Sequence, residues 1–453
     1  MQESQFAIIG AGLAGCECAL MLAARGFKVS LYEQKPFRRS EAHVSDGLAE
    51  LVCSNSLRSN ERASGIGLLK NEMRKLDSFF MRAADACQIP AGKALAVDRD
   101  KFSEAMENMV HAQQNISLIR RPVNSLQDDE LLENGKQGII IAAGPLLSGA
   151  LADSLANMTG HEHLQFYDAI APIVWTESID MSIAFRASRY ENNGDDTGDY
   201  INCPMNRDEY EIFYNALING KTFDSHMVEK HFEGCMPIEA LAGRGAKTLV
   251  FGPMKPVGLV DPRSGKRPWA VLQLRPEKLN LETCNLVGCQ TKLLRKEQER
   301  IFRLVPGLEN AEFVRFGSLH RNSYLNAPCV LAEDLSLRNN PGIFVIGQLS
   351  GVEGYVESAA SGLWLALLLS ARARGAELSR PPFESALGGL LSHLSIPVKN
   401  FQPSNAHFGL MPELAEKTRK KERREKYAER AEKSFDAWLD NNANLLKNGV
   451  CQA

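Results

Sequence analysis

Apolar and polar positions along the chain fall into three regimes. The first opens with a short apolar run, Phe6–Ile9, followed by Gly10-Ala11-Gly12-Leu13-Ala14-Gly15. A helical segment then reaches Arg25, and a second apolar run, Val29–Leu31, ends on Glu33. Unbroken apolar runs this short suit strands covered on both faces of a parallel sheet. After a polar loop broken by Pro36 and Gly47, helical spacing over Ile66–Ala86 places Leu68, Leu69, Met73, Leu76, Phe79 and Phe80 on one side. Ala94–Val97 reads as a strand, and Asp98 can cap a helix from near Arg99 to about Gln113. Gly138–Gly144 is a third buried strand. From about Asp168 the pattern turns to alternation, so Ile170–Thr176, Met181–Phe185 and Tyr210–Tyr214 are expected to be antiparallel strands. A polar turn, Glu191–Gly198, separates them. The third regime resumes the first: a buried strand at Gly342–Gly347, a glycine-rich turn through Gly354, Tyr355 and Gly362, and an apolar helix Leu363–Ala371. A charged helix is expected from Glu413 to Leu446. Its stretch from Lys417 to Lys433 has nine Lys/Arg and four Glu, a solvated face or an RNA contact.

The pattern predicts an α/β protein. A Rossmann-type dinucleotide domain is split into residues 1–167 and 318–453, around an inserted, largely antiparallel α+β domain over 168–317. The opening turn carries chemistry. Gly10 permits a tight bend, Gly12 lets a pyrophosphate approach the backbone, and Gly15 lets the helix pack closely on the strands. The helix N-terminus offers free N–H groups to phosphate. Glu33, 23 positions after Gly10, is placed to accept ribose hydroxyls. Strand, turn, helix and acid together make the motif specific where the glycines alone are weak. Ala11, Leu13 and Ala14 complete the cradle. Gly144 and Gly347 end strands where the chain must pass close to a cofactor, and the turn at Gly354-Tyr355 opens the far half of an FAD site.

Composition narrows the partners. The 453 residues suffice for two domains, and no apolar stretch reaches the ~18–20 residues of a membrane span. No secretory leader is evident, so a cytoplasmic protein without a membrane partner is expected. The net charge of −3 means that any RNA site must be a local basic patch. The ten cysteines form no CxxC pair, which favours reduced thiols over disulfides or zinc, with one or two thiols catalytic and no metal expected.

Several long strings resemble one family almost end to end: the folate- and FAD-dependent tRNA uracil-5-methyltransferases, TrmFO. These are IIGAGLAG at the start, AELVCSNSLRSN (49–60), PAGKALAVDRDKFS (90–103), FEGCMPIE (232–239), GPMKPVGL (252–259) and RPWAVLQLR (267–275). FVRFGSLHRNSYLNAP (313–328), GVEGYVESAASGL (351–363) and NFQPSNAHFGLMP (400–412) continue the match. The resemblance implies a GR2-like flavoprotein. Its FAD takes a hydride from NADH or NADPH, and 5,10-methylenetetrahydrofolate supplies the carbon. The product is 5-methyluridine at position 54 in the T-loop of tRNA. A branch acting on ribosomal RNA, a non-catalytic FAD-stabilised RNA-binding protein and a generic flavin dehydrogenase are the alternatives. A monomer or weak homodimer is expected.

Uracil C5 becomes nucleophilic once a thiolate adds to C6, and the chemistry then needs a base and a reduced flavin nearby. By resemblance, Cys235 is the thiol that attacks C6. Cys53 is the thiol beside the flavin, for proton transfer or adduct formation. Tyr355 is a stacking residue near the isoalloxazine or a core tyrosine. Arg58, Asn60, Arg321, Lys255 and Arg275 are weaker candidates for substrate or RNA contact, each with a structural or solvated role as the plain alternative.

Overall fold

The computed structural model describes residues 5–40, 42–160, 164–189, 198–223, 236–277, 281–399, 401–415, 418–419 and 422–447, without the side chains of 164–168 and 319–321. Cys235 and most of the Glu191–Gly198 turn lie outside the described residues.

The first sheet is built from β1 (Phe6–Ile9), β2 (Val29–Glu33), β6 (Ile116–Arg120), β7 (Gly138–Ile141), β16 (Ser336–Leu337) and β17 (Asn340–Val345). Their order is β16-β17-β7-β1-β2-β6, parallel except for the β16–β17 pair. Every residue of β1, β2 and β7 is buried, as expected of strands with helices on both faces. Helix Leu13–Ala24 lies along helix Tyr355–Ala373, whose residues Val356–Ala371 are all buried. Their contact is close enough that a Cβ on Gly362 would come within 2.3 Å of the Ala14 carbonyl oxygen. Fully burying a Leu or Phe contributes about 1.5–3 kcal/mol, so this helix pair and its strands form the main stabilising core.

A small sheet, β3 (Ser56–Ser59), β4 (Gln88–Ile89) and β5 (Ala94–Val97), edges this unit. Then a two-stranded ribbon, β8 (Leu164–Ile170) paired antiparallel with β15 (Ser318–Tyr324), leads out to the second sheet and back. That sheet is wholly antiparallel, in the order β10-β11-β12-β13-β9-β14. Its strands are β9 (Ile173–Trp175), β10 (Phe185–Arg186), β11 (Ile201–Met205), β12 (Ala270–Pro276), β13 (Thr283–Leu286) and β14 (Phe313–Arg315). A separate core, Val174 to Ala311, belongs to it.

Several local expectations are corrected. Tyr210–Tyr214 is not a strand but the middle of helix Arg207–Ile218. Asn206 and Glu209 form a reciprocal capping box, and Tyr210, Phe213 and Leu217 recur at helical spacing into the core. Met181–Phe185 is mostly turn, with strand only at Phe185–Arg186. The single helix expected over Ile66–Ala86 is two, Gly65–Lys75 and Phe79–Ala86. Asp77 sits in the left-handed region at φ +58° and Ser78 caps the second helix, so the chain turns there despite continuous apolar spacing. The terminal charged helix is shorter than expected, Arg423–Asn441, with a separate turn at Ala443–Lys447. Asp98 does cap helix Arg99–Ala112.

Glu72 ties two helices together. Its buried carboxylate accepts from the N–H groups of Ala386 and Leu387, both at 2.8 Å, at the start of helix Ala386–Ser395. Burial pushes this carboxyl up to about 8 from 4.5 even though the two N–H groups pull it down. A carboxyl raised in the fold contributes stability in full below its unfolded value. That contribution is lost as pH rises through the folded one. Glu72→Ala is therefore expected to cost about 2–4 kcal/mol in urea unfolding at pH 4.5 and measurably less at pH 8.5.

Candidate functional site

The glycine turn after β1 makes a cradle with an open side. Gly10 has φ +102°, and a Cβ there would meet the Ala142 carbonyl oxygen at 2.5 Å. A Cβ on Gly15 would lie 1.9 Å from the Gly10 carbonyl oxygen, so helix Leu13–Ala24 approaches its own turn as only glycine allows. Beside Gly12, by contrast, no heavy atom lies within 4 Å. The backbone is packed where the fold needs packing and bare where a pyrophosphate would rest. The cleft beyond it is lined by Ala11, Leu13, Ala14, Glu33, Gly144, Gly347 and Tyr355, among others. Glu33 is buried at the end of β2, its two oxygens accepting from Ala11 N at 3.0 Å and Lys35 N at 2.9 Å. Arg121 lies over the Tyr32 ring at the same rim, held by Asp128. Gly144 at φ +69° and Gly347 at φ +73° follow the other strand ends in the left-handed region and line the same cleft. These residues fit FAD: a bare glycine turn for the pyrophosphate, an acid at the tip of β2, and two helix N-termini aimed at one opening.

Tyr355 starts the second of those helices. Its hydroxyl accepts from the backbone N–H of Cys53 at 2.7 Å and of Ser54 at 3.2 Å, and lies 2.8 Å from Cys53 Sγ. With both lone pairs engaged by N–H donors, the phenolic proton is left for sulfur. Burial and the adjoining Cys53 push this phenol well above its ordinary range, so it keeps that proton. The half-buried thiol thus sits beside two residues that line the dinucleotide cleft, Val52 and Tyr355, and is oriented by the latter, 302 positions away.

The thiol loop is held from the second sheet almost residue by residue. Arg275 on β12 donates from Nε to Asn55 Oδ1 at 2.8 Å and from Nη2 to Ser54 Oγ at 2.7 Å. Asn55 donates back to the carbonyls of Pro276 and Glu277, at 3.1 and 3.2 Å. Arg315 on β14 donates to Val52 O at 2.8 Å. Arg99 donates to Leu51 O at 2.9 Å and pairs with Glu277 at 2.5 Å. Burial lowers the pKa of Arg275 and of Arg315, with Arg99 adding repulsion to both. Below the loop, Arg58 adopts φ +62° and pairs with Glu357, a fully buried acid that also accepts from Ala406 N at 2.8 Å. The buried Lys70 amine donates to the Leu57 and Arg58 carbonyls at 2.8 and 3.1 Å, and burial, reinforced by Arg58 and Arg74, brings it down to about 7.

The five weaker candidates therefore part company. Arg275 is buried against the thiol loop, where its guanidinium is occupied by Ser54 and Asn55 and not presented to solvent. Arg58 braces the start of the Tyr355 helix. Asn60 is exposed and accepts from Arg74 at 3.3 Å, and Lys255 is exposed on a loop between β11 and β12. Arg321 lies on β15 opposite Tyr167, with its side chain outside the described residues, as is all of Cys235. Arg99, Glu277, Arg315, Asn55 and Glu357 were not singled out from sequence. All but Glu277 stand inside the strings that carry the family resemblance, which was the available signal.

Fold and cleft define the class: a two-part dinucleotide-binding flavoprotein with a thiol held against one wall residue of its cleft. Comparison narrows this further. The family model "Glucose inhibited division protein A" matches residues 5–377. A relative from Nitratidesulfovibrio vulgaris (strain DP4), named "Methylenetetrahydrofolate--tRNA-(uracil-5-)-methyltransferase TrmFO", is 60% identical over 435 residues, 96% of this chain and 89% of its own. One of the same name from Lawsonia intracellularis is 58% identical, over 97% and 99% of the two chains. Among solved structures, Aquifex aeolicus GidA in its form II crystal shares the fold at TM-score 0.65 and 17% identity, covering 98% of this chain and 75% of that one. The chain belongs to the TrmFO family.

Two outcomes follow from the geometry. Gly15→Ala, which drives a methyl into the Gly10 carbonyl, is expected to purify with at least about tenfold less flavin absorbance near 450 nm than the parent protein. Arg275→Ala should accelerate amide hydrogen exchange over 51–57 by about tenfold or more, with exchange in β1 and β7 unchanged.

Proposed function

We propose that this protein methylates C5 of uridine in tRNA, at position 54 of the T-loop. In this reading 5,10-methylenetetrahydrofolate is the carbon donor, and NADH or NADPH reduces the FAD. The observation that carries the reading is the 2.8 Å contact between Cys53 and Tyr355, a residue that lines a cleft built for a dinucleotide. The names of relatives up to 60% identical over nearly the whole chain support the same reaction.

The roles divide by chemistry. The Cys235 thiolate adds to uracil C6, which turns C5 into the nucleophile that attacks the activated methylene. Cys53, as the thiolate, takes the C5 proton, and the resulting enolate expels the amine that carried the methylene. This leaves an exocyclic methylene with Cys235 still on C6; the C6–sulfur bond breaks once hydride has reached that carbon. FAD, when bound, supplies the hydride that completes the methyl group. Tyr355 keeps Cys53 oriented through its hydroxyl, which holds the sulfur and the backbone beside it. Gly10, Ala11, Gly12 and Gly15 take the pyrophosphate, Glu33 the ribose, and the N-terminus of helix Tyr355–Ala373 favours the negative charge of the reduced ring. No described helix is long and apolar enough to cross a membrane, and we place the enzyme in the cytoplasm as a monomer or weak homodimer working without a metal.

Purified protein supplied with FAD, methylenetetrahydrofolate, NADPH and a T-arm transcript should yield 5-methyluridine by nucleoside mass spectrometry. Cys53→Ala and Cys235→Ala should each lower the rate by about 10³-fold or more, and a transcript with cytidine at position 54 should give no product. Product from the parent protein no greater than from Cys235→Ala would defeat the reading. Equal conversion of a ribosomal RNA fragment would move the substrate and keep the chemistry.

A further inference from the structure

The second sheet carries a surface that the thiol chemistry leaves unused. Between Gly243 and Trp269 stand six cations, Arg244, Lys247, Lys255, Arg263, Lys266 and Arg267, against one acid, Asp261: six minus one gives a local charge of +5 in a chain of net −3. All six cations are exposed, and Asp261 already holds Arg263 at 3.1 Å. Set among them are large apolar side chains open to solvent: Phe251 at 79% exposure, Val260 at 58% and Trp269 at 39%. Cations interleaved with solvent-exposed aromatic rings match the chemistry of a nucleic acid, whose phosphates take the charge and whose unpaired bases take the rings.

The surface is held rigidly and faces a definite way. Arg189 donates from Nη1 to the carbonyls of Lys255 and Val257, both at 2.8 Å, and from Nε and Nη2 to Gln273 Oε1 at 2.9 and 2.7 Å. Val271 N bonds Met254 O at 3.0 Å, and Asp261 N bonds Lys266 O at 3.0 Å to close the loop that carries Arg263 and Lys266. The Tyr210 hydroxyl anchors Ala246 O at 2.6 Å, and the Arg207 guanidinium lies 5.6 Å from the Trp269 ring centre. Residues two apart on a strand share a face, so Gln273 and Arg275 point the same way from β12, and Trp269 continues that row. Arg275 is the side chain that grips Ser54 and Asn55 beside the thiol. Six residues at ~3.3 Å put Trp269 about 20 Å from Arg275 along the strand.

We propose that the 243–269 loops are the landing face for the substrate tRNA. Lys255, Lys266 and Arg267 take backbone phosphates, Trp269 and Phe251 stack on unpaired bases, and β12 sets the span between landing site and thiol. The proposal rests on the RNA reading above and assigns it a surface.

The test is fluorescence anisotropy with a labelled T-arm hairpin at 50–200 mM salt. The combined variant Lys255→Glu, Lys266→Glu, Arg267→Glu is expected to bind at least about thirtyfold more weakly, with a salt slope smaller by about two. Trp269→Ala should lose about tenfold with the slope unchanged, and Trp269→Phe should recover most of that. Bound-flavin absorbance and melting temperature of each variant report whether the fold is kept. Parent-like affinity in the triple variant overturns the proposal. So does a loss that appears only in Arg424→Glu, Lys433→Glu on the terminal helix, or a parent protein that does not hold the hairpin. A parent protein that makes 5-methyluridine while the triple variant binds normally defeats this surface alone. A parent protein that binds the hairpin through this surface but makes no 5-methyluridine defeats the enzymatic reading alone.

Discussion

The structure turns on a buried guanidinium. Arg275 has been removed from water, and a cation in that position is tolerable only when its donors are met by well-placed acceptors. Two of them are met by side chains of the segment that carries Cys53. The arrangement is reciprocal, since Asn55 fills two carbonyls at the end of the strand that bears Arg275. The segment between Leu51 and Asn55 has no regular structure of its own, and its conformation is borrowed from a sheet more than 200 residues downstream. Losing one partner would leave charge or amide groups buried and unpaired, so the contact resists partial opening. A thiol on an otherwise irregular segment thereby acquires a fixed position.

A second convergence gives the thiol something to act beside. Helices Leu13–Ala24 and Tyr355–Ala373 begin near one cleft, and each is buried along most of its length. Their glycines allow this: Gly15 at the first turn, and Gly362 where the second helix crosses Ala14. Tyr355, as the first residue of its helix, sits where a partial positive charge, a cleft wall and the thiol coincide. Arg58 and Glu357 brace the same turn from below, and a side chain on Gly354 would strike both.

Much of this was legible in the sequence, and the pattern of what was not is physical. The glycine turn, the buried strands and the Asp98 cap are local features, encoded within a dozen residues, and they stand in the structure where the residues put them. Tyr210–Tyr214 misled because five residues of alternating polarity fit either period, and the Asn206–Glu209 box that decides for helix lies just outside that window. The break at Asp77 was hidden because apolar spacing runs through it. Arg275 could not be placed from sequence at all. Its partners are more than 200 positions away, and nothing in RPWAVLQLR distinguishes a buried arginine from one that reaches solvent.

The order of the strands bears on how the protein is made. β7 lies between β1 and β17, so the parallel sheet keeps an unpaired edge until residues near 345 have been synthesised. The second sheet, which closes with β14 at Arg315, has all its strands earlier. On the ribosome the second sheet can thus be completed before the first, and β7 waits with an unpaired, strongly apolar edge. A chaperone that shields that edge during elongation would find its client in the first 150 residues, and its release would coincide with arrival of the last parallel strand.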